Sequence, residues 1–226
     1  MKRSVSVLFM LAGILFAICL LISNILATKI ILIGSWAAPA GVLIFPIAYI
    51  INDVIVEVWG YRKARLIIWS GFAVNLLAVM FFSLANALPA APFWHNQEAF
   101  SAILGSTPRI VAASLMAYLT GSFLNAIVMS KVKVLMKGKN FSVRAILSTL
   151  VGETADSMIF IFIAFAGNLP FKALIVMILT QAFLKTIYEI IILPLTILVV
   201  KWVKKVEGSD IYDNSVSYNP FLINQV

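Results

Sequence analysis

Residues 5–26 of the chain read VSVLFMLAGILFAICLLISNIL, an apolar run without one charged residue. A membrane-spanning helix needs about 20 such residues, so this run is long enough to cross a bilayer. A secretory signal peptide is the alternative, but its apolar core is shorter, and no clear small-residue cleavage site follows the run. The run therefore predicts a first membrane span. It holds the one cysteine, Cys19, which cannot form an intrachain disulfide and leaves the redox compartment open.

Composition extends this prediction to the whole chain. Hydrophobic residues make up 62% of the 226 residues, charged residues make up 12%, and the mean hydropathy is +1.05. A soluble domain is nearer half apolar and a quarter charged, so the excess indicates a lipid environment. Six apolar runs of span length occur, at residues 5–26, 42–59, 66–87, 110–130, 145–166 and 173–200. We expect an all-α membrane protein with six transmembrane helices, a single domain over residues 1–205, and a polar, poorly ordered tail over residues 206–226.

The basic residues predict the orientation of these spans. Thirteen lysines and arginines lie on the side of the N-terminus, against three on the other side, namely Lys29, Arg109 and Lys172. The thirteen are Lys2, Arg3, Arg62, Lys63, Arg65, Lys131, Lys133, Lys137, Lys139, Arg144, Lys201, Lys204 and Lys205. Because basic residues favour the cytoplasmic side, we expect both termini in the cytoplasm. The net charge of +8 is thus a topology signal, and we expect a lipid bilayer and no nucleic acid as partner.

The spans form two sets of three with opposite topology. Spans 1–3 begin inside and end outside, whereas spans 4–6 do the reverse. Two inverted three-helix halves are a common plan in transporters, which hold substrate at the interface of the halves near the membrane midplane. We find no convincing sequence identity between the two halves, so the topology allows this plan without establishing it.

Acidic side chains are concentrated inside the expected spans. The chain has nine acids, and five of them lie within spans: Asp53, Glu57, Glu153, Asp156 and Glu189. Each costs about 2.5–3.5 kcal/mol at a helix centre on insertion scales, and the five together cost on the order of 15 kcal/mol. A purely structural bundle has no reason to carry that cost. The acids are therefore candidates for a functional site.

Helical spacing places the polar residues of three spans on one face each. Span 2 carries Tyr49, Asp53 and Glu57 with Asn52 beside them, span 5 carries Thr149, Glu153, Asp156 and Phe160, and span 6 carries Gln181, Lys185 and Glu189. These faces cannot point to lipid, so they should converge inside the bundle. Five acids facing one lysine leave negative charge over, which a proton, a cationic substrate or the donors of a neutral substrate must neutralise.

Structural roles compete with these assignments. Lys185 and Glu189 are four residues apart and could simply pair with each other. Glu57 lies near the cytoplasmic end of its span, where Arg62 or Lys63 could neutralise it outside any site. For both pairs, the structural role remains an alternative to a role in the site.

Single polar residues have simpler interpretations. Asn24, Asn75 and Asn125 are isolated amides that we expect to join helices to one another. Gly152 allows close approach, either of a neighbouring backbone or of a ligand. The only histidine, His95, lies in an outer loop, so a histidine-based metal site or catalytic triad is not expected. No Walker A sequence occurs, so the chain itself should not hydrolyse ATP, and no cofactor is expected.

Residues 45–61 read FPIAYIINDVIVEVWGY, and this segment resembles the signature of the queuosine precursor transporter family, also called the vitamin uptake transporter family. Arg144, Ser148, Thr149, Asp156, Ser157 and Phe160 are similar to the span-5 pattern of that family. Trp59 stands where many members carry tyrosine, and Glu153 where glutamine is frequent. The resemblance in length and span count covers essentially the whole chain.

This resemblance implies import of 7-cyano- or 7-aminomethyl-7-deazaguanine across a bacterial inner membrane, for salvage into queuosine-modified tRNA. A guanine-type edge presents an N1–H and an amine, and one carboxylate can accept both. Asp53, Glu153 and Asp156 are the candidates for this bond. Asn52, Gln181 or Lys185 could donate to the O6 carbonyl, and Tyr49 or Phe160 could stack on the ring. A second carboxylate could hold the aminomethyl cation or carry a proton during transport.

Two rival functions remain at this stage. The chain could be the substrate-capture subunit of a vitamin importer that works with a separate ATPase. It could also be an intramembrane aspartyl protease, but the Tyr-Asp and Gly-x-Gly-Asp pairing expected of such an enzyme is missing, so we expect no enzyme. The sequence leaves the oligomeric state open, a homodimer included.

Overall fold

The computed structural model describes residues 5–33, 36–105 and 108–222, and the basic positions Lys2 and Arg3 lie outside these ranges. Its helices are α1 Val7–Leu26, α2 Phe45–Ala87, α3 Gln97–Leu104, α4 Pro108–Leu135, α5 Phe141–Phe165 and α6 Phe171–Glu207. All but α3 are long and apolar enough to cross a membrane. The expectation of a helical membrane protein is therefore confirmed.

A short β-hairpin that was not predicted from the sequence separates α1 from α2. Strand β1, Ile30–Ile33, pairs antiparallel with β2, Trp36–Pro39, and the backbone N–H of Ala40 donates to the carbonyl of Lys29 at 2.8 Å. The branched side chains of β1 favour an extended backbone. A 3₁₀ turn, Ala40–Leu43, then leads into α2.

Helix α2 reverses direction at Gly60, whose φ of 81° and ψ of 171° are not helical. Gly41, in the turn just before the first arm, accepts a bond from Ser23 near the end of α1, and Trp59 near the end of the arm packs on Phe9 near the start of α1. The arm before Gly60 therefore runs antiparallel to α1. The positive φ is a conformation that glycine adopts without strain. A single residue thus takes the place of a loop.

The arm after Gly60 runs parallel to α1. Ile67 packs against Gly13 near the start of α1, and Asn75 contacts Asn24 near its end. The predicted spans 42–59 and 66–87 therefore lie largely in separate arms of one element. The Asn24–Asn75 bond of 2.6 Å also confirms the expectation that these two amides join helices.

The remaining helices alternate in direction. Arg109 at the start of α4 contacts the carbonyls of Ile163 and Ala166 at the end of α5, so these two helices are antiparallel. Helix α6 returns beside α5. We call the end of the bundle that contains Gly60, the α4–α5 connection and the last turn of α6 the basic end, because arginines and lysines collect there.

The surface of the bundle is more apolar than a soluble protein tolerates. Phe81, Leu179 and Leu198 are each about 60% exposed, whereas the Arg65 and Arg144 side chains are fully buried. Large exposed apolar side chains around a polar interior are what a bilayer environment requires. The outward side chains therefore identify the long helices as membrane helices.

The segment 209–221 packs across the basic end, where the sequence predicts a poorly ordered tail. Asp213 is 7% exposed; its Oδ2 accepts the backbone N–H of Tyr61 at 2.8 Å and the Ser130 hydroxyl at 2.6 Å. Tyr218 stacks near Tyr61 with ring centroids 5.0 Å apart, and burial raises the pKa of the Tyr218 phenol. We call residues 209–221 the strap.

Backbone carbonyls of the strap hold it in place as well. Arg65 donates to the carbonyl of Asn219 at 2.8 Å, and the Trp69 indole donates to that of Pro220 at 2.8 Å.

Partial burial raises the pKa of Asp210, but hydrogen bonds from Lys133 and Lys204 outweigh burial and hold that pKa below its usual value. Because the pKa of Asp210 is lowered in the folded protein, the ionised carboxylate stabilises the fold at pH values above the usual carboxyl pKa. This stabilisation is lost as the pH falls through the lowered pKa.

Replacing Asp213 with alanine is expected to loosen the strap. The Tyr61 N–H would lose its acceptor, and a buried unsatisfied group costs about 1–3 kcal/mol. The Ser130 hydroxyl would keep only the Tyr218 hydroxyl, at 3.0 Å. We expect a lower thermal unfolding midpoint of the detergent-solubilised protein. Asn214→Ala, at an exposed neighbouring position, is the matched control. Equal midpoints for the two variants would show that the Asp213 contacts contribute nothing.

Candidate functional site

Helices α5 and α6 meet in a buried ion-pair cluster near the middle of the bundle. The Lys185 ammonium lies 2.6 Å from Glu153 Oε2 and 2.9 Å from Asp156 Oδ2. Glu153 is 2% exposed and Asp156 8%. The three-residue spacing of the acids puts both on the α6 face of α5, as the sequence predicts. The predicted local pair of Lys185 with Glu189 is not among the ion pairs of the described residues.

A second polar layer joins four helices beside this cluster. Asp53 on α2 has Asn125 of α4 and Glu189 of α6 within hydrogen-bonding range, and Glu189 also reaches Thr149 of α5. The Asn52 amide donates to Asn125 Oδ1 at 2.9 Å. Asn125 thus links helices, as expected of an isolated amide. The layer also shows that the polar faces of spans 2, 5 and 6 converge.

Helices α4 and α5 cross closely at two glycines. A Cβ on Gly152 would lie 2.8 Å from the Gly121 carbonyl, and a Cβ on Gly121 would lie 2.8 Å from the Tyr49 hydroxyl. Small residues let membrane helices approach in this way. Gly152 was expected to allow close approach of either a neighbouring backbone or a ligand, and the structure shows the backbone. The contact places Tyr49 against Asp156, whose Cβ lies 2.8 Å from the same Gly121 position.

Glu57 belongs to a separate cluster at the basic end. Arg144 binds it in a bidentate manner, and Lys204 lies 2.6 Å and Lys133 3.8 Å from its Oε1. The expected partners were Arg62 and Lys63. Basic residues do neutralise Glu57, but they are different residues. Lys133 also reaches Asp210 of the strap. Glu57 is therefore saturated by cations, one turn below Asp53.

Two predicted site residues lie at the margin. Phe160 packs with Phe165 and the apolar cluster around Ile161 and Ile178, toward the end opposite the basic end. Gln181 is half-buried on α6, one turn before Lys185. The structure thus brings together most of the predicted residues. The core set is Tyr49, Asn52, Asp53, Thr149, Glu153, Asp156, Lys185 and Glu189.

Seven of these eight side chains, all but Lys185, are buried, so the conformation is closed around them. A cavity of about 50 Å³ lies between α1, the second arm of α2, α3 and α4, and Asn24 and Asn75 line it, away from the carboxylates. Among the described residues, no group of three or more histidine, cysteine or acidic side chains could hold a metal ion. Asn125 lies in the centre of the site but was not among the predicted site residues. The only feature of the sequence that marked it was a lone amide in an apolar span.

Comparisons with known proteins agree with this arrangement. The model of the family described as "Putative vitamin uptake transporter" matches residues 39–199. The chain is similar to the "Probable queuosine precursor transporter" of Bacillus subtilis (strain 168), 24% identical over 173 residues, which cover 76% of each protein. It is also similar to the "Queuosine precursor transporter" of Escherichia coli (strain K12), 30% identical over 125 residues, which cover 55% of this chain and 54% of that one. No solved structure matches the chain significantly.

Proposed function

Since the chain belongs to the vitamin uptake transporter family, that of the queuosine precursor transporters, we propose that it imports a deazapurine by alternating access. The substrates would be 7-cyano-7-deazaguanine, 7-aminomethyl-7-deazaguanine or both. The membrane would be the bacterial inner membrane, with both termini in the cytoplasm. The family is one of transporters and not of enzymes.

Six membrane crossings fit the contacts of the helices. The two arms of α2 run in opposite directions along α1, so α2 would cross twice, and α1, α4, α5 and α6 would cross once each. This count puts the basic end on one side of the membrane. By the bias of basic residues, that side is the cytoplasm. The strap would then cover the cytoplasmic mouth.

The observation that carries the substrate class is the pair of buried carboxylates on α5 with Lys185 as their partner. A guanine-type edge offers two adjacent N–H donors that one carboxylate accepts together. Glu153 and Asp156 would bind this edge, and the O6 carbonyl would accept a bond from Lys185. In the ligand-free protein Lys185 pairs with both acids. Substrate binding would therefore be an exchange of partners, which avoids leaving a buried carboxylate uncompensated.

The remaining site residues would position the ring. Tyr49 is buried against the α4–α5 crossing, close to Asp156, and its ring could stack on the flat base. Asn52 and Gln181 would supply further hydrogen bonds, and Phe160 would close the apolar side. Because Glu57 is saturated by three cations, we propose that it holds the basic end together and does not contact the substrate.

The decisive experiment is uptake of labelled deazaguanine precursors into cells that cannot make them. We expect that cells with the gene accumulate the label and restore queuosine in their tRNA, whereas cells without it do neither. Absence of tRNA queuosine despite good expression would contradict the proposal. Uptake by the purified protein in vesicles without ATP would exclude the rival in which a separate ATPase drives the chain.

A further inference from the structure

The buried acids of the bundle differ in whether a cation neutralises them. Glu57 has Arg144 and two lysines, and Glu153 and Asp156 share Lys185. Asp53 and Glu189 take part in none of the ion pairs of residues 5–33, 36–105 and 108–222. Yet they are only 1% and 5% exposed. Their negative charge must therefore be neutralised in another way.

The two side chains face each other across the α2–α6 interface. They lie within hydrogen-bonding range of one another, and within the described chain Asp53 Oδ1 and Glu189 Oε2 have no hydrogen-bond partner. Two carboxylates at such a distance cannot both be ionised in a buried site. A shared proton removes the repulsion and supplies the missing donor. In the part of the chain that the structure describes, no group of three or more histidine, cysteine or acidic side chains could hold a metal ion in the proton's place.

We propose that Asp53 and Glu189 form a proton-binding site, occupied in this closed conformation, that couples substrate movement to proton movement. The inference rests on the proposed transport function. It assigns these two acids a ligand of their own, distinct from the base that Glu153 and Asp156 would bind. The substrate and the proton would then occupy adjacent layers of the same bundle.

The groups around the pair reinforce the need for a positive charge. Glu57 on α2 and Glu153 on α5 contribute negative potential to the two acids. Asn125 on α4 and Thr149 on α5 also reach the pair and are neutral. The Tyr49 phenol, one turn before Asp53 on α2, brings no positive charge either. The Lys185 ammonium on α6 pairs with the two α5 acids. None of the neighbours Tyr49, Glu57, Asn125, Thr149 and Glu153 supplies a positive charge, so we assign that charge to a proton.

The proton would move as follows. When the site opens to one side, one carboxylate takes a proton from water, and the new O–H donates to the other carboxylate. After closure and opening to the opposite side, water solvates both groups, the O–H bond breaks, and the proton leaves to water. The pair is doubly ionised only while it is hydrated, when the cost of two charges is small.

Infrared spectroscopy of the purified protein tests the site without any substrate. We expect a carbonyl stretching band of a protonated carboxylic acid at neutral pH in the wild type. The double variant Asp53→Asn with Glu189→Gln should lose this band and keep the fold, because amides preserve size and hydrogen bonding. Glu98→Gln, at an exposed acid on α3, should retain it. A band of equal intensity in the double variant would overturn the proposal.

Flux measurements in proteoliposomes test the coupling. A pH gradient should drive the wild type to accumulate labelled 7-aminomethyl-7-deazaguanine or its cyano analogue. For the uncharged cyano analogue carried with one proton, the accumulation should reach up to about tenfold per pH unit. Glu189→Gln should lose this accumulation, and Glu98→Gln should keep it. Wild-type uptake that ignores the pH gradient, or follows a sodium gradient, would overturn the coupling and leave the transport function intact. No movement of either deazapurine, with the infrared band present, would instead refute the transport function.

Discussion

Replacing Asp156 with asparagine is expected to abolish uptake of labelled 7-deazaguanine precursors without loss of expression. The amide cannot accept both donors of a guanine-type edge, and an isosteric change keeps the helix crossing at Gly121 intact. Glu153 remains to hold Lys185, so no buried ammonium loses its last partner. Uptake into cells, normalised to the amount of protein in the membrane, measures the effect.

Asp53→Asn should abolish uptake as well, because an amide there can neither take up nor release a proton. His95→Ala is the control, since this histidine is exposed in the loop before α3, outside the helices that carry the site. It should transport like the wild type. Normal transport by both aspartate variants would show that the site lies elsewhere in the bundle.

Glu57→Ala is expected to be the most destabilising single change in the basic end. It would leave the fully buried Arg144 without its carboxylate. Of the acids that Lys133 and Lys204 now contact, only Asp210 would remain. Removing one partner of a buried ion pair costs about 3–5 kcal/mol, because the other charge stays uncompensated. We expect aggregation in detergent, or a thermal midpoint well below that of the wild type.

Glu98→Ala provides the matched loss of one negative charge at an exposed position. If the Glu57 and Glu98 variants unfold at the same temperature, the cations around Glu57 must be solvated, and the cluster would not hold the basic end together. Glu57→Asp should lie between the two, since the shorter side chain keeps the charge but not the bidentate geometry with Arg144.

Helical spacing predicted the polar faces of the bundle well. The stripe of Tyr49, Asp53 and Glu57 does lie inward, and so do the acids of α5 and Glu189 of α6. Spacing along one helix cannot tell which neighbour each residue meets, however. Asp53 and Glu57 are one turn apart, but one faces a carboxyl group and the other faces Arg144. Their partners depend on the depth at which α4, α5 and α6 cross α2.

The strap and the turn at Gly60 were not predicted for a related reason. The strap is held largely through its backbone carbonyls, as in the bonds from Arg65 and Trp69, and such acceptors are the same in every sequence. The predicted spans 42–59 and 66–87 leave residues 60–65 between them, whereas the structure turns at Gly60 within one helical element. The positive φ of this one glycine makes the turn without further residues.

The strap also bears on how the protein is assembled in the membrane. Residues 209–221 are translated after helices α1 to α6, so the acceptors of Tyr61, Arg65 and Ser130 emerge from the ribosome later than those helices. Until then these polar groups must bond to water or to insertion factors. Helices α1 to α6 would thus be inserted before the strap packs across the basic end. A nonsense codon just beyond α6 would yield these helices without the strap, and quality-control proteases could recognise the product as unfinished.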